Sequence, residues 1–104
     1  MAHKVIWAPR ALAALEDIVQ YIEKDSPANA AAVAQRVVGA ADRLADFPRM
    51  GRVVPEFERE DIREVLVFRY RVIYRVRQHA VDLLDIVHGA RDLRRTLTEN
   101  DLPG

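Results

Sequence analysis

Arginine is the residue type in this chain best suited to recognition chemistry. Between Arg49 and Arg77 stand eight arginines (Arg49, Arg52, Arg59, Arg63, Arg69, Arg71, Arg75, Arg77) against five acids (Glu56, Glu58, Glu60, Asp61, Glu64), and Lys4 and Lys24 are the only lysines. Guanidinium groups pair with carboxylates and phosphates in a planar fork that lysine cannot reproduce. Arg63, Arg69, Arg71 and Arg75 fall in runs that alternate with apolar residues, and Arg91 follows in His88-Gly89-Ala90-Arg91-Asp92. Such a set suits gripping an acidic surface. His88 is the candidate for proton transfer, because an unperturbed imidazole titrates near neutrality. The plainer alternatives are a structural histidine at a strand end and an Arg91 that only pairs with Asp92 or a loop carboxylate. His79 falls in an expected turn, and His3 has no evident task.

Familiar catalytic signatures are missing. The sequence holds no glycine-rich phosphate loop, paired-histidine metal motif or nucleophile elbow. It has no cysteine, hence no disulfide framework and no thiolate metal site. Neither a metal nor a cofactor is expected. The formal net charge of zero argues against bulk attraction to nucleic acid. At 104 residues the chain is expected to form one domain. No apolar run approaches the ~20 residues of a membrane span, and Lys4 precedes only a short apolar stretch interrupted by Pro9. A cytoplasmic protein with no membrane partner is the expectation.

The elements that must position these residues read β-α-α-β-β-β. His3 to Trp7 alternates as a short strand. Pro9 suits a first helical turn, and Leu12, Leu15, Ile18, Val19 and Ile22 recur at helical spacing as one core stripe. Asp25-Ser26-Pro27 breaks that helix and starts a second, with Ser26 as N-cap. Its alanines permit close approach, so an antiparallel helical hairpin is predicted, with Gly39 at a tight contact. Residues 48–61 read as a long irregular segment pinned by Val53, Val54 and Phe57. Strands follow near 62–68, 70–77 and 81–88, joined at Gln78-His79-Ala80 by a hairpin turn. Tyr70, Val72, Tyr74 and Val76 share the core face of the middle strand, while Arg71, Ile73, Arg75 and Arg77 share a face predicted to be wet. The domain is placed at 1–93, and 94–104 is a polar tail, either a short helix or frayed.

The combined order of signals resembles the RelE/ParE toxin superfamily of bacterial type II toxin–antitoxin systems, also called plasmid stabilisation proteins. The likeness rests on Trp7-Ala8-Pro9-Arg10-Ala11 with Leu15, Ile18, Tyr21 and Ile22, and on Asp25-Ser26-Pro27. It continues through Leu44-Ala45-Asp46-Phe47-Pro48-Arg49-Met50-Gly51-Arg52, Val54-Pro55-Glu56, Arg63-Glu64, Tyr70-Arg71-Val72-Ile73-Tyr74 and His88-Gly89-Ala90-Arg91-Asp92. It implies an α+β fold: a helical hairpin packed on a small twisted antiparallel sheet. It also implies a cognate antitoxin that wraps the toxin in a hetero-oligomer and blocks it.

Two activities divide the superfamily. RelE-like members cut messenger RNA on the ribosome with a basic cluster. Its two arginine positions are kept here as Arg71 and Arg91, whereas its lysine positions fall near Ile62 and Glu64 and its tyrosine position near Leu97. A carboxylate would repel the phosphodiester that a lysine there would hold. ParE-like members poison DNA gyrase, and the Phe47-Pro48-x-x-Gly51-Arg52 and His88–Asp92 stretches look more like them. The expected function is thus that of a ParE-like gyrase inhibitor with no catalytic residue. Arg63, Arg69, Arg71, Arg75 and Arg91 are candidates for contact with target or antitoxin, and substitution of Arg71 or Arg91 is expected to abolish toxicity while leaving the fold intact. One alternative is an mRNA endoribonuclease acting on the ribosome through Arg71, His88 and Arg91, with Glu56 or Glu64. Another is a binding module that kept the fold and lost the activity.

Overall fold

The computed structural model describes residues 2–95, Leu97 and Leu102. Strand β1 (Lys4–Trp7) leads into helices α1 (Pro9–Glu23) and α2 (Pro27–Leu44). Strands β2 (Arg52–Val53), β3 (Ile62–Val67), β4 (Tyr70–Val76) and β5 (Ala80–His88) follow, and a 3-10 turn spans Leu93–Arg95. Both helices open on proline, and the Ser26 hydroxyl accepts a hydrogen bond from the Asn29 N–H at 3.1 Å, capping α2.

The five strands lie in the order β1-β5-β4-β3-β2. The sheet is mixed, not wholly antiparallel: β1 runs parallel to β5, with Val5 beside Val81 and Trp7 beside Leu83. Chain direction explains this. The helical hairpin returns the chain beside the start of β1, where the His3 N–H donates to the Ala45 carbonyl at 2.7 Å. The loop after α2 turns it again, so that β2 runs against β1. Three antiparallel steps from β2 then leave β5 aligned with β1. The two residues of β2 fall within the segment expected to be irregular, being too short to show an alternating pattern.

Two cores cover the two faces of the sheet. On one, Ala11, Leu15, Val33, Val37 and Leu44 of the helices pack on Val72, Tyr74, Val81 and Leu83. Leu12 departs from the expected stripe and is exposed, its place taken by the fully buried Ala11. On the other face, Val54 and Phe57 from the long loop join Leu93, Leu97 and Leu102 from the C-terminal segment over Ile62, Ile73 and Val87. The face expected to be wet is therefore covered around Arg71 and Ile73. Arg71 retains 4% exposure and Ile73 none. Most of the proposed tail, 94–104, lies outside the described residues.

Gly39 corrects a further expectation. A Cβ built there meets nothing within 4 Å, so this glycine faces open space and not a tight contact with α1. Gly39→Ala should therefore stabilise the fold by about 0.5–1 kcal/mol through helix propensity alone. A melting curve unchanged or lowered in midpoint would contradict this.

Candidate functional site

Arg71 is the best-held side chain of the candidate set. In the β3–β4 hairpin Leu66 stands opposite Arg71 and Ile73 opposite Glu64, so Arg71 and Glu64 are diagonal neighbours on one face. The Arg71 Nε donates to Glu64 Oε1 at 2.7 Å. Its Nη1 and Nη2 donate to the two oxygens of Glu56, both at 2.7 Å, and Nη1 also reaches the Arg91 carbonyl at 3.1 Å. Arg52 Nε closes the group from outside by donating to Glu64 Oε2 at 2.7 Å. Two carboxylates and two guanidiniums thus neutralise one another, and Glu64 is 2% exposed. Glu56 also accepts the Leu93 N–H at 3.0 Å, which ties the C-terminal turn to the same node.

These contacts set the protonation chemistry. Chiefly through the Arg71 hydrogen bonds, the Glu56 carboxyl is held at about 2 against its ordinary 4.5, while the pKa of Arg71 is raised by the same partners. A carboxyl depressed in the folded state stabilises the fold above its unfolded pKa, and that contribution is lost as pH falls through the folded one. For Glu56 the window runs from pH 4.5 down to about 2, and the loss is about 3 kcal/mol at 1.36 kcal/mol per unit. Asp61 is lowered by Arg59 and Arg75 and acts in the same sense; Asp85 is raised, chiefly by burial, and opposes it. Denaturant midpoints measured from pH 5 to pH 2 should fall in the wild type and fall less in Glu56→Gln. Parallel slopes would contradict this assignment.

The remaining candidates divide by task. Arg63 braces the long loop, donating to the Gly51 carbonyl at 2.9 Å and to the Glu60 carbonyl and carboxylate at 3.0 and 3.1 Å. Arg75 pairs with Asp61 at 3.2 Å. Arg69 and Arg91 are exposed, and neither side chain pairs with a carboxylate among the described residues. They lie at the same end of the sheet, where the Gly89 N–H donates to the Arg69 carbonyl at 2.7 Å.

His88 is separated from Arg71 by the sheet. It stands opposite Tyr70 on the neighbouring strand, the two rings edge-to-face at 6.2 Å between centroids, and Tyr70 packs on the helix-side core. The next residue, Arg71, points to the other face. The imidazole Nδ1 accepts the Ala90 N–H at 3.2 Å. His88 and the Arg91 side chain instead share an open cleft of about 520 Å³ with Arg10, Tyr21, Tyr70 and Asp85. Asp85 is buried, accepts the Ile86 N–H at 2.8 Å and pairs with Arg10 at 3.3 Å.

Sequence reasoning missed the Glu56–Arg71–Glu64 cage and Asp85. The available signal for the cage was Glu64 between Ile62 and Leu66 on one strand face, set diagonally from Arg71 across a short turn. Among the described residues no group of three or more histidine or acidic side chains is arranged to hold a metal ion. Among them, too, no helix is long and apolar enough to cross a membrane.

A helical hairpin on a five-stranded mixed sheet is the architecture of RelE/ParE-type toxins. The toxin–antitoxin system ParDE of Pseudomonas aeruginosa contains a chain that superposes with a TM-score of 0.68 at 21% identity, covering 84% of this chain and 96% of that one. One in the RelBE2 complex of Mycobacterium tuberculosis does so with a TM-score of 0.54 at 24% identity, covering 85% and 99%. The chain belongs to the ParE toxin family of type II toxin–antitoxin systems, whose sequence pattern it matches over residues 5–93. It is also 40% identical over 88 residues to toxin RelE2 of Caulobacter vibrioides, covering 85% of this chain and 97% of that toxin.

Proposed function

We propose that this chain is kept silent by a cognate antitoxin and that, when released, it arrests growth by binding DNA gyrase and not by cutting messenger RNA. The observation that carries the choice of target is the separation of the residues a nuclease would need. Arg71 is engaged by two carboxylates on one face of the sheet, and His88 stands on the other. A buried carboxylate, Glu64, also occupies the region where ribosome-dependent relatives carry lysine. Attack by a ribose hydroxyl needs a base and a cation converging on one phosphate within hydrogen-bond reach. Arg69 and Arg91, exposed at one end of the sheet, are the cations offered to the target.

Controlled expression in growing cells tests the reading. Growth should stop with messages intact, and His88→Ala should be as toxic as the wild type. The Arg69→Glu/Arg91→Glu variant should lose at least tenfold in potency, because reversing interfacial charges that face an acidic partner costs several kcal/mol. Messages cut within ribosome-bound codons, with cutting lost in His88→Ala, would transfer the proposal to the ribosome.

A further inference from the structure

The last residues of β5 have a strand on one side only. Strand β1 accompanies β5 from Ala80 to Leu83; the Ala8 N–H then donates to the Leu83 carbonyl at 2.9 Å, and the chain leaves the sheet for α1. From Asp85 to His88 the outer edge of β5 borders the open cleft of about 520 Å³ beside α1, with no strand next to it among the described residues. Arg10, Ala14, Asp17, Ile18 and Tyr21 line the opposite wall, a single stripe of α1 at three- and four-residue spacing.

The backbone groups on this edge allow one direction of pairing. The Gly89 N–H bonds to the Arg69 carbonyl on the β4 side, so the alternate residues His88 and Ile86 turn their N–H and C=O groups outward. Two of these groups are used locally: the Ile86 N–H donates to the Asp85 carboxylate at 2.8 Å, and the His88 carbonyl accepts the Arg91 N–H at 3.0 Å. The Ile86 carbonyl and the His88 N–H remain without a neighbouring strand among the described residues. An antiparallel neighbour would need both groups of one residue, whereas a parallel one needs the C=O of one and the N–H of the next but one. An extended segment running in the direction of β1 meets that need, and one residue of it bonds to both groups. Exposed edges of this kind accept an added strand.

Side chains and charge select the occupant. Tyr21 is 71% exposed and, with Tyr70, gives the cleft an apolar wall with polar tips, a surface suited to polypeptide contact. The Asp85 carboxylate is already paired with Arg10 at 3.3 Å, which leaves Arg91 as the cation open to an incoming carboxylate. Asp17 and Asp85 on the walls repel a phosphodiester strand, so the mixed charge favours polypeptide over nucleic acid. We infer that this cleft takes an extended segment of gyrase, which runs parallel to β5, bonds the Ile86 carbonyl and the His88 N–H through one residue, and sets an acidic side chain on Arg91. Both bonds are to the main chain, so loss of the His88 imidazole leaves them in place. The inference rests on the gyrase reading proposed above.

Amide exchange of the full antitoxin-free chain, alone and with gyrase, reads the edge directly. The His88 amide should exchange at least tenfold more slowly with gyrase bound. His88→Pro deletes that N–H at an edge position of the kind where proline is tolerated, and Tyr21→Ala removes the cleft wall. Each should weaken inhibition of supercoiling at least tenfold while keeping the melting midpoint of the wild type. The exchange measurement needs no variant, so it decides the matter whether or not His88→Pro folds. Full potency of both variants with His88 unprotected, in a chain that inhibits gyrase, would overturn the inference and leave the gyrase reading standing. Equal protection by a single-stranded oligodeoxynucleotide without gyrase would assign the cleft to nucleic acid and overturn it as well. A wild-type chain that does not bind gyrase would remove the gyrase reading, and the inference with it.

Discussion

Arg71→Ala is expected to lose about 3–5 kcal/mol of folding stability, because it leaves carboxylates buried without their cation. Glu64 is almost fully enclosed, and Arg52 reaches only one of its oxygens. Glu56 would lose both of its short bonds to the guanidinium and keep the Leu93 N–H. A loss of this size is a large share of the 5–15 kcal/mol that holds a typical domain. Denaturant unfolding at pH 7 measures it directly, and a loss below about 1 kcal/mol would show that the cage is dispensable. The triple variant Glu56→Gln/Glu64→Gln/Arg71→Met should recover much of the deficit, since neutral replacement of a buried ionic group is often tolerated. The expectation that Arg71→Ala would leave the fold intact is therefore corrected. Lost toxicity in that variant alone would not identify a contact with the target.

Gly51→Ala is expected to destabilise the fold by about 1–3 kcal/mol, as overpacking of a closed site does. A Cβ at this position would lie 2.3 Å from the Glu64 carbonyl oxygen and 2.6 Å from the Tyr74 hydroxyl. The first neighbour is backbone of β3 and cannot swing aside. The second is the acceptor of the Gly51 N–H at 3.0 Å, on a tyrosine with no exposed surface. The Gly51 carbonyl also accepts from Arg63, so a displaced residue 51 loosens the whole entry to β2. Thermal melts of Gly51→Ala and Tyr74→Phe would separate clash from lost hydrogen bond. Comparable stability of Gly51→Ala and wild type would contradict the geometry.

The helices were legible because their signals are local: apolar spacing, Pro9, and the Ser26-Pro27 start. The three long strands were legible for the same reason, since Val72, Tyr74 and Val76 alternate with Arg71, Ile73 and Arg75. Alternation assigns residues to faces, but it does not say whether a face is covered. The cover over Arg71 comes from Val54, Phe57, Leu93, Leu97 and Leu102, which lie in irregular or C-terminal segments and carry no period. The pinning role of Val54 and Phe57 was foreseen; their effect on Arg71 was not. Parallel pairing of β1 followed from global chain direction, which no short motif encodes. At the candidate site, residue types were visible before their tasks. Arg63, Arg71 and Arg75 have internal carboxylate or carbonyl partners, whereas Arg69 and Arg91 remain open to solvent.

ATP-dependent supercoiling by purified DNA gyrase, titrated with the antitoxin-free chain, tests the central claim most directly. Dose-dependent loss of supercoiling with accumulation of cleaved DNA is expected, undiminished in His88→Ala and weakened at least tenfold in Arg69→Glu/Arg91→Glu. Full supercoiling at every dose of a chain that still arrests growth would contradict it.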